Sequence, residues 1–345
     1  MGGKITLKFT VFADFHYKEG MYLSRVSDIE KIVNSANENC VDFMLHAGDF
    51  SNDYYGSPEV LNPFLNNKYG ISAYGVYGNH ELESKENSMN YVTPLLTNDK
   101  CVVWGTEDGK IGDGSIGYYY FDKYNFRVIC LDTNYSFCEE LNEWQHNETA
   151  SWGPPQGNIK PNSLGPEQVN WLEKVLLKSA AEGKKCIVVS HATFNTDWRD
   201  VSPDTEVVLS LFEEVKGTVI MAINGHYHTN HIGMKDGILF FDVNTVRNGR
   251  WVYNAPKHYE ENHTFNYEKY DEKGNKISEE IAPLSALWQS SNTWYFNDPL
   301  FATVSISDEG EITVEGAKTE WIHDVIPENL PSGKAPEITG GKFKI

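Results

Sequence analysis

The sequence predicts an α/β fold, on three observations. Short runs rich in β-branched and aromatic residues read as strands, amphipathic stretches with helix start and stop signals read as helices, and the two kinds alternate along the chain. The strand-like runs are 5–13, 41–47, 71–77, 127–131, 186–190, 219–224 and 238–243. Of the helical stretches, 24–39 places Val26, Ile29, Ile32, Val33 and Ala36 on one face. A second begins at Pro166, carries Val169, Leu172, Val175 and Leu176, and stops at Gly183; a third runs over 205–216 and stops at Gly217. Near the end, 300–306 and 311–314 flank Asp308-Glu309-Gly310, a hairpin signal. That hairpin extends a sheet, so a single domain is expected over 4–325, followed by a Pro-, Gly- and Lys-containing tail over 326–345.

Two stretches break the pattern. Residues 134–163 hold Trp144, Trp152, Pro154, Pro155 and Pro161 among polar residues and read as a long loop. Residues 251–297 are irregular and crowded with Tyr, Trp, His and Asn. Both are expected as loop insertions, forming either a substrate rim or surface cover packed by its own rings. No internal repeat is present.

Composition limits the partners. The formal charge of −20, from 49 acidic against 29 basic residues, argues against a broad nucleic-acid surface, which needs clustered Lys and Arg. It also repels anionic substrates unless a local positive centre, such as bound metal, reverses the field. The five cysteines are odd in number and form no Cys-x-x-Cys pair, so neither a zinc knuckle nor a disulfide framework is indicated. No apolar run reaches the roughly 18 residues of a membrane span and no signal-peptide pattern follows Met1. A soluble protein is expected, cytoplasmic or secreted with its signal removed.

Five short motifs carry the chemistry: Asp14-Phe15-His16, Gly48-Asp49, Gly78-Asn79-His80-Glu81, Ser190-His191 and Gly225-His226-Tyr227-His228. Each begins where a strand-like run stops. In open α/β sheets ligands bind beyond the carboxyl ends of strands, so these segments are able to converge. Imidazole and carboxylate ligands suit zinc, manganese or iron, and a carboxylate such as Asp49 is able to bridge two ions. In Asp14-Phe15-His16 and His226-Tyr227-His228 the outer residues are two apart, so extended backbone points both side chains the same way. Gly48, Gly78 and Gly225 fit sharp exits where backbone approaches the site.

In this order and spacing the motifs resemble the calcineurin-like metallophosphoesterases, over roughly residues 5–250 and again in the closing hairpin. The resemblance implies a sandwich of two mixed β-sheets flanked by helices, with the site at the C-terminal ends of strands. It implies that Asp14, His16 and His228 hold one metal, that Asn79, His191 and His226 hold the other, and that Asp49 bridges them. The ions would be two divalent or trivalent transition metals, Mn, Fe or Zn. The implied reaction is hydrolysis of a small phosphate ester, a phosphodiester first, by a metal-bridging hydroxide with His80 as general acid. A phosphomonoesterase and a noncatalytic protein retaining the fold are the alternatives. Many members carry an Asp three residues after the bridging Asp to orient the catalytic His; here Asn52 stands there, with Asp53 next. Arg247 and Arg250, just past run 238–243, are candidates to clamp a phosphate, because a guanidinium fork matches phosphate oxygens. His231 is a candidate to support the site, and His46, His146, His258, His263 and His323 are read as ordinary.

Overall fold

Thr6–Phe12 forms the first strand, β1, and both of its faces are buried: Leu7, Phe9 and Val11 on one side, Thr10 and Phe12 on the other. A strand covered on both faces belongs inside a sheet. The computed structural model describes residues 6–51, 64, 70–81, 97, 99–105, 117–138, 142–146, 162–197, 201–247, 250–251, 259–271, 275–287, 290, 293–326 and 333–345.

After β1 come helix α1 (Val26–Glu38), β2 (Phe43–His46), β3 (Ser72–Gly75), β4 (Val103–Trp104), β5 (Tyr119–Lys123), β6 (Phe126–Cys130), β7 (Tyr135–Cys138) and β8 (Glu143–His146). Helix α2 (Gly165–Ala181), β9 (Lys185–Val189), helix α3 (Thr205–Glu214), β10 (Val219–Asn224), β11 (His231–Lys235) and β12 (Ile238–Asp242) follow. The remainder holds β13 (Arg250–Trp251), β14 (Thr264–Tyr270), β15 (Lys276–Pro283), β16 (Thr293–Trp294), β17 (Ala302–Ser307), β18 (Glu311–Gly316) and β19 (Gly341–Lys344).

Two mixed sheets result. One has the order β19-β18-β17-β1-β2-β3, with β1, β2 and β3 parallel and β17 antiparallel to β1. The other has the order β11-β12-β10-β9-β6-β5-β4, with a parallel centre of β6, β9, β10 and β12. Aromatic rings lock the sheets face to face: Phe43 of the first meets Phe121 of the second edge-on at 5.2 Å, and Tyr74 stacks on Phe121 at 3.6 Å. Helix α1 turns Val26, Ile29, Ile32, Val33 and Ala36 into the same core. On the outer face of the second sheet, Ile129, Val188, Ala222 and Phe240 pack with Leu172, Val175 and Leu176 of α2 and with Val208 and Phe212 of α3. The expected helix-flanked sandwich of two mixed sheets is what the chain forms.

Three expectations are corrected. The stretch 251–297 is not all irregular: β14 and β15 pair as an antiparallel hairpin, and Tyr259, Phe265, Leu284 and Tyr295 build a small core of their own with Leu23 and Ile322. The stretch 134–163 contains the β7–β8 hairpin, with Tyr135 bridged to Ser163. Within the expected tail, β19 pairs with β18 as an edge strand, because β18 offers a free row of backbone groups that a four-residue segment satisfies. Among the described residues no helix is long and apolar enough to cross a membrane.

Candidate metal centre

The five motifs occupy the turns that leave β1, β2, β3, β9 and β10 at their carboxyl ends. The turns after β1 and β2 run side by side. Asp14 N–H donates to Gly48 O at 3.0 Å, His16 N–H to Asp49 O at 2.8 Å and Tyr17 N–H to Phe50 O at 3.1 Å. Asp14, His16, Asp49, His226 and His228 all have positive φ, between 49° and 76°. Non-glycine residues enter this region rarely and at a cost of about 1–3 kcal/mol each, so their clustering marks a functional site. It also corrects the expectation of extended backbone: the paired side chains converge through left-handed turns and not through strand alternation. Gly48 (φ 89°) has no room for a side chain, since a Cβ there would fall 2.3 Å from His191 Nδ1.

The side chains meet in three groups able to hold a metal: Asp14 with His16 and His228, His16 with Asp49 and His80, and Asp49 with His191 and His226. His16 Nε2 lies 2.9 Å from His228 Nε2, and His228 Nε2 lies 3.4 Å from Asp14 Oδ1. On the other side His191 Nε2 lies 3.1 Å from Asp49 Oδ2, and His226 Nδ1 lies 3.0 Å from Asn79 Oδ1 and 3.3 Å from His191 Nε2. Asp49 Oδ2 is also 3.7 Å from His16 Nε2, which places it between the two sides. Atoms coordinated at about 2.0–2.2 Å by one ion stand roughly 3.0–3.5 Å apart in octahedral or tetrahedral geometry. Most of the separations fall in that range, and the N and O donors are those of borderline transition metals, so the residues fit such ions. His191 Nδ1 is occupied by Ala47 O at 2.8 Å, which leaves Nε2 as the nitrogen that faces the site.

Residues 7–230 match the family model of the calcineurin-like phosphoesterases. This chain belongs to that family. It is a metal-dependent phosphoester hydrolase. Among solved structures, the phosphoesterase is similar to a dimetal phosphatase from Danio rerio, with a TM-score of 0.58 and 17% identity over 92% of this chain and 98% of that one. It is also similar to GAP50, the anchor in the inner membrane complex of Plasmodium, with a TM-score of 0.48 and 12% identity over 99% of this chain and 89% of that one. No curated protein matches it.

Burial gives the charges of the phosphoesterase's site their character. Desolvation alone would raise the Asp49 carboxyl, but His191, His80 and His16 around it hold it well below the usual carboxylate range. Desolvation would likewise lower His191, yet the Asp49 carboxylate beside it, their hydrogen bond and the charge of Asp14 raise it to about 10. His226 is pushed down to about 3 by burial and by the neighbouring His191 charge.

His80 is buried, its N–H donates to Asp49 Oδ1 at 2.8 Å, and its ring meets that of His16 edge-on at 4.9 Å. Glu81, the last residue of the Gly78-Asn79-His80-Glu81 motif, has a role that the sequence pattern does not reveal. The fully buried Glu81 carboxylate receives N–H groups from Gly78 at 2.5 Å, Asp49 at 3.1 Å, Ser51 at 3.1 Å and Phe50, tying the turn after β2 to the turn after β3. Burial and the charge of Asp49 push its carboxyl up to about 7, while the donated N–H groups pull it down. In Glu81→Gln one acceptor oxygen becomes an NH2 facing backbone donors. The expected result is a loss of about 2–3 kcal/mol in urea unfolding, with metal affinity down roughly 10- to 100-fold. Unchanged unfolding and metal titration would show the contacts to be incidental. Asn224 was also missed; its Nδ2 holds Ser190 Oγ at 2.7 Å and Ala192 O at 3.1 Å, fixing the His191 turn from behind.

Arg247 stands apart from the three ligand groups. Its buried guanidinium meets Asp28 Oδ2 of α1 at 3.1 Å and lines a different cavity, with Arg25 and Lys31, where no candidate metal ligand is found. His231 Nδ1 lies 3.0 Å from Asn195 Nδ2 and 3.4 Å from Asp242 Oδ2. Asn52, Asp53 and the side chain of Arg250 lie outside the described residues.

Proposed function

We propose that this phosphoesterase hydrolyses a phosphodiester with two transition-metal ions. Asp14, His16 and His228 would hold one ion, Asn79, His191 and His226 the other, and Asp49 would lie between them. The observation that carries this reading is the position of Asp49 Oδ2, 3.1 Å from His191 Nε2 and 3.7 Å from His16 Nε2, within reach of both ligand sets. The similar Danio rerio protein, a dimetal phosphatase, supports a pair of ions. When bound, such ions supply Lewis acidity and a water acidified to a pKa of about 7.

The chain's own residues do the rest. Two carboxylates against two divalent ions leave the loaded site net positive, which draws a phosphate ester to a protein whose formal charge is −20. His80, whose backbone N–H is held by Asp49, would give a proton to the leaving oxygen, as an imidazole is able to do near neutral pH. We also take 4–325 as one domain carrying insertions at 134–163 and 251–297. The test is elemental analysis of the purified protein together with hydrolysis of bis-aryl phosphate and aryl monophosphate after adding manganese, zinc or iron. Two ions per chain with faster diester turnover are expected. Faster monoester turnover would replace the diester reading, and a protein without metal or turnover would overturn the enzyme reading altogether.

A further inference from the structure

The chain that follows the first motif doubles back on the metal centre. Met21 and Tyr22 both donate their N–H groups to Lys18 O, at 3.1 and 3.3 Å, so the chain reverses within a few residues of His16. The Tyr22 ring is thereby laid on the imidazole of His16, with centroids 5.7 Å apart and planes 14° from parallel. Two other rings meet that imidazole, His80 edge-on at 4.9 Å and His228 tilted at 4.9 Å, and both belong to the site itself. Tyr22 comes from outside it. The torsion that swings a histidine ring has broad minima, so the direction of Nε2 is set by what packs against the ring or bonds to it. A ligand aimed before an ion arrives loses less freedom on binding, and groups that orient ligands are worth about 10- to 100-fold in metal affinity.

What holds Tyr22 in place is the insertion over 251–297. Leu23, the next residue, is buried in the small core with Tyr259, Phe265, Leu284 and Tyr295. The β14–β15 hairpin holds the chain on both sides of that residue. Tyr270 donates its N–H to Glu19 Oε2 at 3.3 Å, and the Tyr267 ring lies against Gly20, where an added Cβ would stand 3.5 Å from it. Further on, Glu268 Oε2 accepts the N–H of Ser27 at 3.3 Å. That carboxylate is itself fixed, by the Tyr270 hydroxyl at 2.8 Å and by Lys276 Nζ at 3.2 Å. Contacts at Glu19, Gly20, Leu23 and Ser27 therefore bracket Tyr22, and the insertion makes each of them.

We infer that the 251–297 insertion acts on the metal centre through the turn at 18–23, with Tyr22 as the residue that positions His16. The inference rests on the reading proposed above, in which His16 is a metal ligand. The insertion is then a buttress: it keeps one ligand ring aimed while the site is empty of metal, which a substrate rim or plain surface cover does not do.

The test is competition for zinc between the metal-free full-length protein and a chromogenic chelator. Tyr22→Ala is expected to bind zinc roughly tenfold more weakly than the unaltered protein, and Tyr22→Phe, which keeps the ring, as tightly. Tyr267→Ala should give a smaller loss, because the contacts at Glu19, Leu23 and Ser27 remain. Both tyrosines are half-buried, so neither truncation threatens the core. When Tyr22→Ala and Tyr267→Ala are combined the two losses should not add, since the second change acts through the ring that the first removes. A purely structural role would lower the urea midpoint and leave zinc affinity where it was. Unchanged affinity in Tyr22→Ala or in Tyr267→Ala, a loss in Tyr22→Phe equal to that in Tyr22→Ala, or full addition of the two losses would overturn the inference. Zinc binding by the unaltered protein reports on the metal reading separately. Its absence sinks that reading and this inference with it, whereas zinc binding that is indifferent to Tyr22 sinks the inference alone.

Discussion

Asp49→Asn is expected to purify without its full complement of metal and to lose diester turnover by about a thousandfold or more. The residue sits where both ligand sets are in reach, and its Oδ1 also accepts the His80 N–H at 2.8 Å. The amide has the same shape, so the turn after β2 has no steric reason to move. What disappears is the negative charge, and an amide oxygen is a poor bridge between two cations. A bound ion stabilises the transition state by several kcal/mol, and each 1.36 kcal/mol is tenfold in rate, which sets the size of the loss. Elemental analysis of the purified variant and its kcat/KM on a bis-aryl phosphate read the two effects. A fully loaded and active Asp49→Asn protein would contradict the placement of Asp49 between two ions.

His80→Asn should behave in the opposite way, keeping its metal and losing about 10²- to 10⁴-fold in turnover, the usual worth of a positioned general acid. The loss should depend on the leaving group. A nitrophenolate departs without a proton, so its hydrolysis should suffer least, whereas an ester with a poorly leaving alkoxide should suffer most. Measuring kcat across a leaving-group series for the original and variant proteins checks this. A uniform loss across the series would assign His80 a role in holding the metal or the phosphate, and full turnover would remove it from the reaction.

Much of this was legible in the sequence, and the failures share a cause. The strands of the two sheet centres were found because they are buried on both faces and so are apolar throughout, as Val219–Asn224 and Ile238–Asp242 show. The β14–β15 hairpin escaped because it lies at the surface, with Ile277 and Ile281 exposed at 66% and 70% among charged neighbours, so no apolar face announced it. The short β19 escaped because its pairing is a matter of backbone groups on β18, which no side-chain pattern encodes. Within the site, the seven candidate ligands were visible because each motif is a local turn at a strand end. The role of Glu81 was not, because its partners are the backbone of residues 49–51, some thirty positions upstream. The pairing of Arg247 was hidden for the same reason: its partner Asp28 lies 219 residues away in sequence. His146 was read as ordinary because its contact with the buried Asp132 is made across 14 residues of sequence.

The place of β1 in its sheet bears on how the protein is made. Its N-terminal residues pair with the far end of the chain, Thr6 with Ser307 and Val11 with Ala302. At a synthesis rate of about 5–20 residues per second, the nascent β1 waits on the order of tens of seconds for that partner. During the wait an apolar strand presents a bare edge, the kind of surface on which chains aggregate. All the candidate ligands have been added to the chain by residue 228, yet the strand that aims Asp14 and His16 is clamped on its second side only when 302–307 emerge. Efficient production of this protein is therefore expected to depend on whatever shields that edge until the last hairpin arrives.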